Sequence, residues 1–256
     1  MFSIDLLNRI RAAEIEAIAA HLPAGSRVLE IGAGTGRQAQ ELRRLGFDVE
    51  AIEIPDSNYA QERLFPITNY DGRHIPFPDG SFDAVFSSNV LEHVRALDEL
   101  EADIKRVLRP GGLCVHVLPT HVWRFWTMLS AFPAALQKIA SPGAQGGASN
   151  GLGGFLGRIG RTLRTLLSPL FPTRHGETGT AISELWLFHP RRWRRHFRAA
   201  GFEIVRDEPM GLFYTGHLVL GDRRSLPERR RMASRYGSAC HLFELRPTVE
   251  AQPRAR

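Results

Sequence analysis

The 256-residue chain is 43% hydrophobic and 23% charged, with a formal net charge of +6, which suits one domain with a large core, carrying an insertion, better than two separate domains. Two cysteines are too few for a disulfide framework and fit a reducing cytosol. No stretch reaches membrane-spanning length, and Met1 to Leu22 has no secretory apolar region.

The charge is uneven along the chain. Residues 1–120 carry 12 basic and 18 acidic side chains, residues 121–175 carry six basic and none acidic, residues 176–222 six of each, and residues 223–256 nine basic and three acidic. In chain order, Leu6, Leu7, Ile10, Ala13, Ile15, Ala17 and Ile18 recur at helical spacing before Pro23 and Gly25 end a leading helix. A first strand, Arg27–Ile31, runs into Gly32-Ala33-Gly34-Thr35-Gly36. Glycines at alternate positions let a ligand approach the backbone at the mouth of the next helix. A dinucleotide fingerprint would need glycine where Arg37 stands, so nicotinamide is the weaker reading. The helix after the turn closes at Gly46, and Asp48–Ile54 is a second strand ending in Glu53, placed to accept from the two hydroxyls of a ribose. A short, helical connection over 55–64 leads to a weak third strand, Ile67–Tyr70. Phe82–Ser88 is the fourth strand, with Asn89 at its carboxyl end; a helix from Val90 to Leu108 follows, and Gly112–Leu118 is the fifth strand.

The run Glu30-Ile31-Gly32-Ala33-Gly34-Thr35-Gly36, the segment from Asp71-Gly72 through Pro76-Phe77-Pro78-Asp79-Gly80-Ser81-Phe82-Asp83 to Glu92-His93, and the turn Arg109-Pro110-Gly111-Gly112 resemble the type 11 branch of the class I S-adenosylmethionine (SAM) methyltransferases. The resemblance is specific over 25–120. It implies a doubly wound α/β fold with a seven-stranded, mostly parallel sheet of order 3-2-1-4-5-7-6, its last strand antiparallel. It also implies SAM as cofactor, held by Glu30, Gly32, Ala33, Gly34, Gly36, Glu53, Ile54, Asp71, Gly72 and Asn89, with Asp71 accepting from the adenine amino group.

On this reading residues 1–120 are the SAM-binding half and 121–185 a helical insertion after strand five. Residues 186–222 complete the sheet, with a helix from Pro190 to Ala200, strand six over Phe202–Asp207 and strand seven over Leu212–Leu220; 223–256 is a basic tail with disordered last residues. The insertion begins with an apolar, tryptophan-bearing stretch from Val122 to Ile139, then a glycine-rich linker from Ser141 to Gly154. Next, Leu152, Phe155, Leu156, Ile159, Leu163, Leu166, Leu167, Leu170 and Phe171 recur at spacings of three and four opposite Arg158, Arg161 and Arg164. Such a basic amphipathic helix either packs as a lid or lies on an anionic membrane surface.

Displacement at a sulfonium needs an aligned nucleophile and a dry pocket. For a hydroxyl acceptor, His93 and His121 are the candidate bases by position, each with a structural role as the simpler alternative, and His116 is a core histidine. No spacing marks a metal site, and no compact motif marks a nucleic-acid partner. The expected function is methyl transfer to an oxygen of a hydrophobic or lipid-linked acceptor, in the cytoplasm or peripherally on the inner membrane face. Methylation of a soluble small molecule and a non-catalytic SAM-fold module are the alternatives.

Overall fold

The computed structural model describes residues 4–57, 61–140 and 152–248. Helix α1 (Ile4–Ala19) leads into β1 (Arg27–Ile31), α2 (Arg37–Arg44), β2 (Asp48–Glu53), β3 (Thr68–Asn69) and β4 (Phe82–Ser88). A 3-10 turn, Leu91–His93, precedes α3 (Leu97–Val107) and β5 (Leu108–Pro119). The insertion contributes α4 (His121–Ala140), α5 (Leu152–Leu167) and the short α6 (Glu184–Leu187). Then come α7 (Pro190–Ala199), β6 (Phe202–Pro209), α8 (Leu226–Tyr236) and β7 (Cys240–Pro247). The sheet has seven strands in the order β3-β2-β1-β4-β5-β7-β6, the order that the sequence predicts. Strand β7 runs antiparallel to both of its neighbours, β5 and β6.

Side chains of successive strand residues alternate between the two faces, so the inner strands feed two cores. Val28, Ala84, Phe86, Val115 and Val117 pack with Ile10, Ile15 and Ile18 of α1 and with Ala39 and Leu42 of α2. Leu29, Ile31, Val85 and Phe243 pack on the other face with Leu100 and Ile104 of α3 and Phe197 of α7. Burial on both faces is why the parallel strands read as nearly continuous apolar runs. Gly46 at φ 95° ends α2 and Gly201 at φ 80° follows α7, a left-handed conformation that glycine adopts without steric cost.

Four expectations are corrected. The seventh strand is Cys240–Pro247, not 212–220. Gly211 at φ 71° and Leu218 at φ 45° bend the latter segment, and the Leu218 and Gly221 amides close turns onto Thr215 and Leu218. The residues after 223, read as a basic tail, supply α8 and this central strand; Arg229 is 1% exposed because its guanidinium donates to the carbonyls of Phe213, Gly221 and Arg224. The helix expected over 55–64 is absent among the described residues of that stretch, and the helix expected from Val90 is split by Val94, which is extended. Most of the glycine-rich linker and the last residues of the chain lie outside the described residues, as do the side chains of residues 152–158.

Candidate active site

The carboxyl ends of β1, β2 and β4, helix α1 and the insertion enclose a cavity of about 1980 Å³. It exceeds the roughly 300–1,000 Å³ of a single small-molecule pocket, so it has room for a cofactor and an acceptor together. Its cofactor end is the glycine turn. Gly32, Gly34 and Gly36 have φ of 72°, 57° and 78°. A Cβ on Gly32 would lie 2.4 Å from Val90 Cγ2, and one on Gly36 would lie 2.5 Å from Phe65 Cβ; only glycine passes between these walls.

Glu53, at the end of β2, is 9% exposed and clamps this turn. One carboxylate oxygen accepts from the Gly34 amide at 2.7 Å and the other from the Ile54 amide at 2.8 Å. Gly32 and Ala33 donate to the Ile52 carbonyl, and Gly36 to the Ala33 carbonyl. The turn therefore spends most of its amides on its own shape. Glu30 lies beneath it, 1% exposed, and burial pushes its carboxyl up to about 8. It accepts from the Ala39 amide of α2 and does not line the cavity.

Ile54 is 42% exposed on the cavity wall, and Gly72 packs beside it, where a Cβ would lie 3.6 Å from Ile54 Cγ2. Asp71 and Gly72 themselves do not line the cavity. The Asp71 carboxylate accepts from the Arg73 and His74 amides and from the His74 ring, which together hold it well below the usual carboxylate range. Asn89, at φ 55°, turns its side chain to Arg11 of α1; with its oxygen toward the guanidinium it accepts at 2.7 and 3.1 Å.

Of the two candidate bases, the structure brings only His93 to the cavity. Its ring meets His175 edge to face at 4.8 Å, and its Nε2 lies 3.7 Å from the Glu92 carboxylate. Desolvation lowers both imidazoles, His175 to about 4. His121 does not line the cavity: it stacks on His189 at 4.3 Å. The cause is the start of α4, where Thr120 bonds to Ala239 and Ser238 of the neighbouring chain segment and turns Trp123, Arg124 and Thr127 to the cleft instead. His116 is a core histidine, bonded to Ser87 Oγ at 2.8 Å and lowered to about 3 by burial.

Sequence reasoning missed the far wall. Arg124 is 4% exposed, pairs with Glu184 at 2.9 Å and donates to the Thr173 carbonyl. Glu184 in turn accepts the His175 and Gly176 amides at 2.6 and 2.7 Å. This pairing across 60 residues carries His175 into the site, and no local pattern marks it. Arg11, Trp123, Thr127, Tyr214 and His217 complete the wall.

Residues 29–116 match a family model described as a methyltransferase domain, type 11. Those residues are a methyltransferase domain. The chain is 36% identical over 108 residues to a demethylmenaquinone methyltransferase of Tropheryma whipplei, covering 40% of this chain and 45% of that one. A demethylmenaquinone methyltransferase of Beutenbergia cavernae is 34% identical over 155 residues, 59% of this chain and 63% of that protein. The chain thus spans about half the length of the curated relatives it matches. A SAM-dependent methyltransferase from Aquifex aeolicus, 14% identical, shares the fold over 96% of this chain and 98% of its own, at a TM-score of 0.53. The methyltransferase domain fits SAM on its own geometry: a turn that a Cβ would block, an acid at the end of β2 and an exposed apolar face at Ile54.

Proposed function

We propose that this protein transfers a methyl group from SAM to an oxygen of a hydrophobic or lipid-linked acceptor at an anionic membrane surface. The observation that carries the acceptor class is the insertion's uncovered apolar surface. On α4, Phe125, Leu129, Phe132 and Leu136 form one exposed stripe at spacings of four, three and four. On α5 and the turn after it, Ile159, Leu163, Leu166, Leu167 and Leu170 are exposed as well. A lid packed on the domain would bury that face; among the described residues it is uncovered, beside Arg161, in a segment without acids. Apolar area entering the acyl boundary and arginines meeting lipid phosphates is the physics of an interfacial helix. The demethylmenaquinone methyltransferases named above are consistent with a lipid-like acceptor. Among the described residues no helix is long and apolar enough to cross a membrane.

SAM supplies an electrophilic methyl on a sulfonium. The chain's own residues would orient and enclose it: Glu53 would accept from the ribose hydroxyls, Ile54 would face the adenine, and Asn89 with Arg11 would receive the methionine end. His93 stands where an acceptor hydroxyl can give up its proton.

Two measurements test this. Calorimetric titration should show saturable SAM binding and none for NAD, with Glu53→Gln weakening SAM by about tenfold or more, the effect of one charge-assisted hydrogen bond. Sedimentation with anionic vesicles should show binding that falls at high salt and in a Leu163→Glu/Leu166→Glu variant. Absent or unaltered vesicle binding assigns the acceptor to the soluble small molecules; absent SAM binding removes the enzyme reading altogether.

A further inference from the structure

We infer that Glu92, His93 and His175 form a site for one divalent transition-metal ion of the zinc class, opening onto the cavity. Glu92 is the anchor. Its side chain is 1% exposed, yet neither carboxylate oxygen has a hydrogen-bond partner among the described residues. A buried carboxylate without donors is costly, and buried charges are paired or coordinate metals. The charge of Arg11 reaches Glu92, but its guanidinium makes its hydrogen bonds to Glu14 and Asn89 and gives none to the Glu92 carboxylate.

Two imidazoles stand over this carboxylate. One nitrogen from each ring and one Glu92 oxygen all lie within 4.8 Å of one another, and the His93 Nε2 to Glu92 Oε1 separation is 3.7 Å. Tetrahedral zinc holds its ligand atoms about 3.4 Å apart, so the set is within side-chain rotation of a coordination sphere. Two histidines and one carboxylate select zinc, cobalt or iron over magnesium or calcium, which prefer oxygen ligands.

The placement of His175 is built. Its amide and that of Gly176 are held by Glu184, the Glu177 amide donates to the Glu92 carbonyl at 3.0 Å, and Trp123 packs on the His175 ring at 4.7 Å. A Cβ on Gly176 would lie 2.9 Å from the Glu92 carbonyl oxygen, so glycine is what lets this loop close onto Glu92. His93 and His175 both line the cavity, leaving a coordination position that faces it. Resting on the methyl-transfer reading, the ion takes over the part of base and His93 serves as its ligand: the open position receives the acceptor oxygen and eases loss of its proton to water, as metal-bound water is acidified.

The test is titration of the full chain with cobalt(II), followed by its visible absorption, with zinc competition and SAM calorimetry in parallel. The site predicts one cobalt per chain, displaced by one equivalent of zinc. Glu92→Gln and His175→Asn should each raise the cobalt dissociation constant at least about tenfold while SAM affinity, which also reports folding, is retained. If either variant fails to fold, His93→Gln, at a ring exposed to the cavity, takes its place. No stoichiometric cobalt binding overturns the assignment. So does binding that survives the variants, which would point to the second cluster of Asp98, Glu101 and His196. Cobalt binding without SAM binding leaves the site standing and removes the methyl-transfer reading; SAM binding without cobalt does the reverse.

Discussion

Replacing Gly32 with alanine strains the first turn of the cofactor cleft in two separable ways. The backbone at φ 72° is left-handed, a conformation that costs an L-residue about 1–2 kcal/mol. The new Cβ would also sit 2.4 and 2.8 Å from the two γ-carbons of Val90, and overpacking of this kind costs about 1–3 kcal/mol. The sum, about 2–5 kcal/mol, corresponds to a melting temperature lower by roughly 5–15 °C for a chain of this size. Trimming the wall separates the two terms. In Gly32→Ala/Val90→Ala the overlap is gone and the backbone strain remains, so the double variant should be more stable than the summed single effects by about 1–3 kcal/mol. Thermal and urea unfolding of the four proteins measures the cycle, and SAM calorimetry reads the turn's shape directly. Additivity within about 0.5 kcal/mol, or wild-type SAM affinity in Gly32→Ala, would refute the close passage of the turn against Val90.

Two further outcomes follow from buried ionisable groups. His116 is lowered to about 3 by burial, below the roughly 6.5 of an unfolded histidine, so its contribution is present above pH 6.5 and is lost as pH falls toward 3, by about 2 kcal/mol at pH 5. Glu30, pushed up to about 8, acts in the opposite sense, losing stability as pH rises from the ordinary carboxyl range through 8. His116→Gln should therefore flatten only the acid limb of unfolding free energy against pH; an unchanged limb would show that the histidine is not neutral in the core. Glu184→Gln leaves Arg124 buried without its ion pair and should cost about 3–5 kcal/mol in urea unfolding, whereas a loss below about 1 kcal/mol would mean that water reaches the guanidinium.

Local chemistry made the cofactor half readable. The strands β1, β2 and β4 are short apolar runs bounded by turn residues, and Gly32, Gly34, Gly36 and Glu53 stand at intervals fixed by one strand-turn-helix-strand unit. The acceptor half depends on distant pairings. His175 reaches the cavity because Glu184 and Arg124 hold its loop, and β7 was hidden because the arginine-rich stretch from 223 reads as a basic tail, although Arg229 is satisfied by carbonyls in the interior. His121 lay at the right end of the right strand, but the bonds of Thr120 turn the first residue of α4 toward α7. Position along a strand does not fix the side that the next side chain takes.

The place of β7 has a consequence for synthesis. Between Pro119 and Pro247 some 128 residues must leave the ribosome before β5 gains its second neighbour, about ten seconds at ordinary elongation rates. Through that interval a long, apolar strand edge stands open in the nascent chain, the kind of edge that recruits other strands. Chaperone demand and aggregation during expression should therefore track the time taken to translate residues 120–247 more closely than the stability of the finished fold.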